Sequence, residues 1–258
     1  MPVALIDGDM FAYRCAASAE KDSAEVSMER VDKWLRDTLH ETHCEEYRIF
    51  LGEGENFRHK LFPEYKKSRK NKTRPTFLKE TREFLINDWK AESSELEADD
   101  MMGMNVSEDS IIVTNDKDMF QIPTSFYNPV KKEFHFIPES EAQYLFNLQL
   151  LMGDKSDDIP GYDGVARAVP PKFITKMLSY MENPDEDIFD VYEDKQQYLI
   201  NYNLLHIWRK PSDLQIPQVL IGRGLSVPEQ DLTLDLLLSI LPLTNQLSGP
   251  IDPTTDGY

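Results

Sequence analysis

The sequence predicts an α/β protein in which a central, mainly parallel sheet is flanked by helices and followed by a helical region. Short apolar runs at residues 3–6, 47–51 and 110–114 have the length and composition of buried strands. Segments with helical spacing separate these runs, and alternating strands and helices favour a parallel sheet covered on both faces. After Ser140 the pattern becomes mainly helical.

The remaining elements follow from the local pattern. Between the first two strands a helical pattern runs to about Leu39, because Met28, Val31, Trp34 and Leu35 recur at three- and four-residue spacing. Short strands are predicted at residues 126–127 and 134–137, and helices at residues 76–89, 141–152, 171–181, 188–208 and 232–241.

The predicted organisation has three parts. Residues 1–140 form the α/β core with a basic insertion at about residues 57–90, residues 141–247 form the helical region, and residues 248–258 form a flexible tail rich in Pro and Gly. The length of 258 residues suits one large domain, or a core domain with a smaller appendage.

The composition excludes several classes of protein. No apolar stretch is long enough to span a bilayer, and the N-terminus lacks the basic region of a signal peptide. The two cysteines, Cys15 and Cys44, have no paired spacing, which indicates a reducing compartment and argues against structural zinc. We therefore expect a cytoplasmic protein with no membrane partner.

The charge is distributed unevenly along the chain. A net charge of −18 argues by itself against a nucleic-acid partner, since phosphate contacts come from Lys and Arg. Residues 58–74, however, read RHKLFPEYKKSRKNKTR and hold eight Lys or Arg and one Glu. A basic stripe in an otherwise acidic chain suits a metal-dependent enzyme that acts on phosphodiesters. A solvated helix face on an acidic surface is the alternative, and composition alone favours it.

Acidic residues form four clusters, two of which follow predicted strands. Ligands of open α/β sheets bind at the carboxyl ends of the strands, where Asp7 and Asp116 are expected. Carboxylates gathered together stay ionised when cations neutralise them, and Mg²⁺ prefers such oxygen ligands. Two ions about 3.5–4 Å apart would stabilise both oxygens of a phosphoryl displacement. The clusters are Asp7 with Asp9; Glu97, Asp99 and Asp100; Asp116 with Asp118; and Asp154, Asp157 and Asp158.

Each cluster also has a purely structural interpretation as a turn or a helix cap. The coincidence of four clusters, rather than any one of them, favours metal. Other chemistries have little support, because the histidines form no HExxH motif and His40 and His43 fall on a predicted surface helix. There is also no GxSxG motif and no phosphate-binding glycine loop.

Five motifs together resemble the flap endonuclease and 5′→3′ exonuclease family, with the closest similarity to phage exonucleases and to the 5′-nuclease domain of bacterial DNA polymerase I. The resemblance covers about residues 3–182, and the motifs are LIDGD, FRHKLFPEYKKSRK, LEADD, TNDKDMFQI and LMGDKSDDIPG. It implies a PIN-like sheet, a helix–three-turn–helix region and two or three Mg²⁺ ions, with Mn²⁺ able to substitute. The implied metal ligands are Asp7, Glu97, Asp99, Asp100, Asp116, Asp118, Asp154 and Asp157.

The resemblance also assigns roles in the basic stripe, which it identifies as an arch. Lys66 and Arg69 match a basic pair that contacts the scissile phosphate, and Tyr65 matches an aromatic position near which a terminal base could stack. A plain steering charge for Lys66 and a packing role for Tyr65 stay open. Asp158 stands where the family more often has Asn. The expected nucleic-acid contacts are Arg58, Lys60, Lys67, Lys70, Lys72, Arg74, Arg167 and Lys172.

The sequence departs from the family after the motif IPG. A glycine-rich hairpin is usual there, and its backbone amides hold duplex phosphates. This chain keeps Gly164 but has Ala168 and Pro170 at later glycine positions, and prolines carry no backbone donor. Duplex binding is therefore expected to depend on Arg167 and Lys172.

The predicted function is Mg²⁺-dependent 5′→3′ exonuclease and flap endonuclease activity in phage DNA replication or repair. The expected partners are DNA with 5′ ends, flaps or nicks, RNA–DNA hybrid and replication proteins, and we expect a monomer located in the host cytoplasm. Two alternatives stay open, a PIN-like single-strand ribonuclease and a non-catalytic junction-binding protein. Metal-dependent turnover separates the second alternative from the nuclease.

Overall fold

A computed structural model describes residues 2–162, 169–225, 233–244 and 247. The chain forms two compact units, and neither is continuous in sequence. The first, here called the α/β unit, comprises the described residues of Met1–Asn56, Lys72–Gln143 and Ile207–Pro211. The second, the helical unit, comprises the described residues of Phe57–Asn71, Tyr144–His206 and Ser212–Tyr258. Much of the basic stripe thus groups with the helical unit. The tail predicted at residues 248–258 lies outside the described residues.

The α/β unit is built on one six-stranded sheet with the strand order β3-β2-β1-β4-β5-β6. Neighbouring strands are parallel except β5 and β6, which form an antiparallel pair. This confirms the predicted mainly parallel sheet. The strands are β1 (Val3–Asp7), β2 (Glu46–Gly52), β3 (Glu92–Ser94), β4 (Ser110–Val113), β5 (Ser125–Asn128) and β6 (Glu133–Phe136).

Helices make up most of the remaining described structure. A short 3₁₀ turn also occurs at Lys67–Asn71 and another at Asp118–Gln121. In chain order the helices are α1 (Gly8–Ser18), α2 (Ala24–Thr42), α3 (Phe57–Leu61), α4 (Leu78–Asn87), α5 (Ala98–Met104), α6 (Glu139–Met152), α7 (Pro171–Leu178), α8 (Pro184–Val191), α9 (Lys195–Leu205), α10 (Gln218–Gly222) and α11 (Leu234–Thr244).

The central strand β1 is buried on both faces, which explains its continuous apolar sequence. Ala4 and Ile6 belong to one hydrophobic cluster of the α/β unit, whereas Leu5 belongs to the cluster on the opposite face. Gly8 begins α1 immediately after the strand. A Cβ at this position would lie 2.7 Å from the Phe50 carbonyl oxygen, so only glycine lets the chain turn from strand to helix so close to β2.

Two predicted helices are each divided in the structure. The pattern that ends near Leu39 comprises α1 and α2, and the Ser23 hydroxyl caps α2 by accepting a hydrogen bond from the Val26 N–H at 3.4 Å. The segment predicted as one helix at residues 188–208 contains the end of α8 and all of α9. Asp194 caps α9 and accepts from the Gln196 N–H at 3.0 Å.

The helical unit has its own hydrophobic core. Tyr192 is fully buried in it, and its hydroxyl donates to the Leu150 carbonyl and accepts from the Asn201 side-chain amide at 3.0 Å. These bonds satisfy the polar atoms of a largely apolar interior. In the described part of the chain, no helix has the length and apolarity needed to cross a bilayer.

Candidate active site

The first candidate ligand, Asp7, lies where β1 ends and α1 begins. Its Oδ1 accepts from the Met10 N–H at 2.9 Å and so caps α1, and its Oδ2 accepts from the Thr114 hydroxyl at 2.9 Å. The residue is 8% exposed. Burial raises the pKa of Asp7 to about 6; the two hydrogen bonds oppose the increase and the charge of Asp116 adds to it.

Asp116 and Asp118 lie in the turn that follows β4, and Asp116 is close enough for its charge to act on Asp7. The Thr114 hydroxyl oxygen, which donates to Asp7, accepts from the Asp116 N–H at 3.1 Å, and Asp116 Oδ1 accepts from the Asp118 N–H at 3.0 Å. The same residues therefore form a turn and carry the candidate ligands. Asp7 and Asp116 lie close together, as predicted, because β1 and β4 are adjacent parallel strands.

The ELEADD cluster lies at the beginning of α5. Glu97 occupies the N-cap position, and Asp99 and Asp100 lie in the first turn, where negative charge complements the helix dipole. Asp100 is fully buried and its Oδ1 accepts from the Trp208 N–H at 3.0 Å. Asp100 thus holds the returning segment Ile207–Pro211 in the α/β unit, in addition to any role toward metal.

Asp9 has a structural role that distinguishes it from Asp7. Its Oδ2 accepts from the Gly52 N–H at 2.8 Å, and its other oxygen forms an ion pair with Arg82. Arg82 also donates to the Gly52 carbonyl at 2.7 Å. The Arg82 side chain is 23% exposed, and it links α4 to the end of β2 and the first turn of α1.

The carboxylates of the α/β unit suit a hard divalent cation in their chemistry. Among the residues that the structure describes, no three His, Cys, Asp or Glu side chains meet closely enough to hold an ion. Within this unit the structure brings Asp7 and Asp116 together, but not the whole predicted set. Burial and the charge of Asp116 disfavour ionisation of Asp7, and a bound cation would offset both effects.

In the helical unit, the loop after α6 carries two more candidate ligands. Asp154 and Ile159 exchange backbone hydrogen bonds at 3.0 and 2.8 Å, which closes the loop. Inside it, the Ser156 N–H donates to Asp154 Oδ1 at 2.7 Å and the Ser156 hydroxyl donates to Oδ2 at 3.1 Å. The same hydroxyl lies 3.3 Å from Asp157 Oδ1. Ser156 therefore fixes the position of both carboxylates.

Asp157 is surrounded by the residues predicted to act on the scissile phosphate. Its Oδ2 accepts from the Tyr65 hydroxyl at 3.3 Å and lies 3.4 Å from Lys66 Nζ, and its Oδ1 forms an ion pair with Arg69. Arg69 Nε also donates to the Ser156 carbonyl at 3.0 Å. Within the helical unit, predicted ligand and predicted phosphate-binding cations are direct neighbours.

Hydrogen bonds from backbone N–H groups also join the basic segment at residues 66–68 to the acidic loop at residues 157–158. The Lys66 N–H donates to the Asp157 carbonyl at 2.9 Å, and the Ser68 N–H donates to Asp158 Oδ2 at 2.7 Å. Lys66 has φ 54° and Asp158 has φ 61°, a left-handed conformation that is uncommon for residues other than glycine, although Asp adopts it more readily than Lys. Each such residue costs on the order of 1–3 kcal/mol, which the surrounding contacts must offset.

Comparison with known proteins decides the family. The model of the 5′-3′ exonuclease N-terminal, resolvase-like domain matches residues 2–144, more than half of the chain. The chain belongs to the 5′–3′ exonuclease family. A curated 5′-3′ exonuclease of Buchnera aphidicola subsp. Schizaphis graminum (strain Sg) is 25% identical over 210 residues, which are 70% of this chain and 72% of that protein.

Two solved structures share the fold of this family member. The T5 D15 protein co-crystallised with metal ions aligns with a TM-score of 0.64 and 15% identity over 96% of this chain and 100% of its own. A point mutant of the T5 5′-exonuclease aligns with a TM-score of 0.61 and 15% identity over 95% of this chain and 98% of its own. These two matches show the fold, and the family model identifies the chain as a nuclease.

Two predicted roles of this family member do not agree with the positions of the side chains. Tyr65 is 2% exposed and packs edge-on against His59 at 5.2 Å, which favours packing over stacking on a terminal base. Arg58 is also 2% exposed, and its guanidinium donates to the carbonyls of Leu204 and His206, each at 2.9 Å. Arg58 therefore supports the end of α9 instead of presenting its charge to a phosphate.

The other predicted nucleic-acid contacts mostly lie at the surface. Lys67 pairs with Glu64 at 2.7 Å, an arrangement that leaves both side chains more than half exposed. Arg167 lies outside the described residues, as do Gly164 and Ala168 of the altered hairpin. The exposed members of the set are Lys60, Lys67, Lys70, Lys72, Arg74 and Lys172.

Sequence reasoning missed three residues that position the candidate site. The sequence predicts Thr114 as the end of a strand and Ser156 as part of a turn, and it assigns no role to Arg82. Each acts on a carboxylate through its hydroxyl or guanidinium, and Thr114 and Arg82 reach carboxylates far away in the chain. The positions of Thr114 and Ser156, between or beside acidic residues in TNDKD and GDKSDD, were the available signal.

Proposed function

We propose that this nuclease is a Mg²⁺-dependent 5′→3′ exonuclease that also cleaves flap structures, with DNA or RNA primers as substrate. The observation that carries the proposal is the pair formed by the buried Asp7 and the exposed Asp116, which Thr114 bridges at the carboxyl ends of two adjacent parallel strands. Such a pair in an α/β sheet lies where ligands of this fold class bind, and its oxygen-only donors suit Mg²⁺.

The proposed ligands are the eight carboxylates that the sequence motifs identify, and two or three ions would be held. Divalent ions in such sites lower the pKa of bound water and neutralise developing phosphoryl charge, and Mn²⁺ would substitute for Mg²⁺. The ligands are Asp7, Glu97, Asp99, Asp100, Asp116 and Asp118 in the α/β unit and Asp154 and Asp157 in the helical unit.

The chain's own side chains would perform the remaining tasks. Thr114 orients Asp7, and Ser156 orients Asp154 and Asp157, so that these carboxylates are positioned before substrate arrives. Lys66 and Arg69 would stabilise the charge that develops on the scissile phosphate. The exposed lysines and Arg74 would bind the backbone of nucleic acid without reading its sequence.

We extend the proposal to the biological setting. The enzyme would act as a monomer on 5′ ends, flaps and nicks, including RNA–DNA hybrid, during phage DNA replication or repair in the host cytoplasm. The support is the presence of all five family motifs together with the overall alignment to the T5 proteins. Replication proteins are the partners that this role would require.

Wild-type protein is expected to cleave a 5′-labelled flap duplex and a nicked duplex in Mg²⁺ and to stop when EDTA is added. Gel analysis of the products would show short fragments released from the 5′ end. Unstructured RNA serves as the comparison substrate, and a preference for it would favour the single-strand ribonuclease. Folded protein that cleaves none of these substrates with Mg²⁺ or Mn²⁺ would refute the proposal.

Replacing Lys66 by Ala is expected to lower the single-turnover cleavage rate about a hundredfold, with substrate binding largely kept, because one stabilising charge is lost from the transition state. Single-turnover kinetics and a binding titration in Ca²⁺ would measure the two quantities separately. Lys79→Ala is the matched control, because Lys79 is an exposed lysine on α4 that pairs only weakly with Glu83 at 3.7 Å. Equal rates in the Lys66 and Lys79 variants would contradict the role.

A further inference from the structure

Asp157 is a largely buried carboxylate that contacts two cations. Its side chain is 14% exposed, and it contacts Lys66 at 3.4 Å, Arg69 in an ion pair, and the hydroxyls of Tyr65 and Ser156 at 3.3 Å each. All five residues belong to the helical unit. The Lys66 side chain is 21% exposed, so solvent screens its pair with Asp157 less than an exposed pair, whereas the Arg69 side chain is 45% exposed.

These contacts compete with the roles given to the same groups in the proposed function. A carboxylate whose charge is offset by Lys66 and Arg69 attracts a divalent ion less strongly. Conversely, cations held on a carboxylate have less charge to offer to a phosphate. Binding of Lys66 and Arg69 to Asp157 and binding of a metal ion to Asp157 therefore weaken each other.

We propose that Asp157 is a latch: without divalent metal it holds Lys66 and Arg69, and a divalent ion that takes over Asp157 releases both cations for phosphate. The inference rests on the proposed function, because it takes Asp157 as a metal ligand. It adds an order of events, in which metal binding makes the basic segment available to substrate. Nucleic acid that arrives before the metal would meet cations that are already paired.

The local structure is suited to opening at Lys66. On one side, Leu61 and Tyr65 are anchored in the core of the helical unit. On the other side, the turn Lys67–Asn71 has no buried residue, and the contacts of Ser68 and Arg69 with the Asp-rich loop are polar. Segments held by polar surface contacts open at low free-energy cost, whereas segments packed in a core do not.

The left-handed backbone of Lys66 lies at the boundary between these two parts. This conformation stores strain that the Lys66 N–H and Asp157 carbonyl contact helps to offset. Loss of the Asp157 side-chain contacts would weaken that restraint. The hinge, the anchor and the latch residue therefore adjoin one another in one unit.

Hydrogen exchange of the segment is the direct test, without nucleic acid. In EDTA the amides of Lys66 and Ser68 are expected to be protected, and saturating Mg²⁺ should speed their exchange about tenfold or more, equivalent to about 1.4 kcal/mol. Asp157→Asn should exchange rapidly in EDTA and respond little to Mg²⁺. Glu64→Gln is the matched acidic control, because Glu64 pairs with Lys67 on the surface, and it should behave as wild type.

Metal affinity gives an independent readout. If a metal ion weakens the contact of Arg69 with Asp157, that contact must weaken metal binding to the same extent. Arg69→Ala removes one competitor for Asp157, so it should bind Mn²⁺ several-fold more tightly than wild type in a titration followed by electron paramagnetic resonance. Lys67→Ala removes a cation from the same turn that pairs with Glu64 instead, and its affinity should stay at the wild-type value. This control separates the latch from a general change in charge.

The outcomes distinguish the latch from the function on which it rests. Wild-type protein that cleaves flap DNA with Mg²⁺, but whose segment exchanges equally with and without the ion, overturns the latch and leaves the nuclease intact. Equal Mn²⁺ affinity in the Arg69 and Lys67 variants overturns it as well. A folded protein that binds no divalent ion overturns both proposals.

Discussion

Replacing Asp7 by Asn is expected to make the metal-free protein more stable and to lower its cleavage rate at least about a thousandfold. A ligand to a catalytic metal supports several kcal/mol of transition-state stabilisation, and each 1.36 kcal/mol corresponds to about tenfold in rate. The gain in stability arises because burial and the charge of Asp116 raise the pKa of Asp7 from 3.8 to about 6. At neutral pH the fold must therefore hold an ionised carboxylate that burial disfavours.

The sign of the pH dependence follows from this shift. A group whose pKa is raised on folding contributes stability below its unfolded pKa of 3.8, and that contribution is lost as pH rises through about 6. The full loss corresponds to about 3 kcal/mol. Asn carries no charge, so its stability advantage over Asp7 should grow from about pH 4 to about pH 7 and stay level above that. The weaker helix cap of Asn reduces the gain to between roughly 1 and 3 kcal/mol.

Urea unfolding in EDTA at several pH values would measure this difference. Asp9→Asn is the matched control, two positions along the chain. Because Asp9 is ion-paired with Arg82 and accepts from the Gly52 N–H, its replacement should lower stability by about 1–3 kcal/mol. Mg²⁺ should stabilise wild type and leave the Asp7 variant unchanged. If Asp7→Asn were less stable than wild type at about pH 7.5, the ionised Asp7 carboxylate would not destabilise the folded protein, and the prediction would be wrong.

The parts of the fold that were predictable are those with a strong local signal. Strands such as β1 and β4 are buried on both faces and therefore appear as continuous apolar runs, which the sequence shows directly. Strand β3, in contrast, consists of Glu92–Ser94, three polar residues whose strand conformation comes from pairing with β2. Helix α5 has seven residues and is too short for a periodic pattern to emerge.

The candidate site was predictable to the extent that its residues follow strands. Asp7 and Asp116 meet because their strands are neighbours, and this follows from topology. The burial of Arg58 could not be predicted, because a run of basic residues does not show which side chain points inward. Arg58 and Leu61 lie three residues apart on one face of α3 and are its two buried residues. That spacing was the available signal, but a five-residue helix gives it little weight.

The roles of Arg82 and Thr114 could not be predicted, for a different physical reason. Each acts through a side-chain contact with a residue more than seventy positions away, Asp9 and Asp7 respectively. Such contacts depend on how helices and strands pack, and no local propensity encodes them. The same limit applies to Asp157 and its cations, where two sequence motifs were each recognisable but their contact was not.

Replacing Gly153 by Ala is expected to destabilise the protein by about 3–4 kcal/mol, the sum of left-handed strain and a steric clash. Gly153 follows α6 with φ 65°. A Cβ there would lie 2.2 Å from the Gly161 backbone nitrogen and 2.4 Å from the Ile159 carbonyl oxygen. Because both neighbours are backbone atoms, no side-chain rotation can relieve the clash, and the loop that carries Asp154 must move.

Gly54→Ala separates the two contributions. Gly54 also has φ 65°, but a Cβ at this position would meet no atom of the described residues within 4 Å. It should therefore cost only the strain, about 1 kcal/mol. Thermal or urea unfolding of both variants measures the difference, and cleavage at low temperature tests the site, since only the Gly153 variant should displace Asp154. Equal destabilisation of the two variants would mean that the loop after α6 adjusts to the added methyl group at little cost. Close backbone packing would then not hold Asp154 in place.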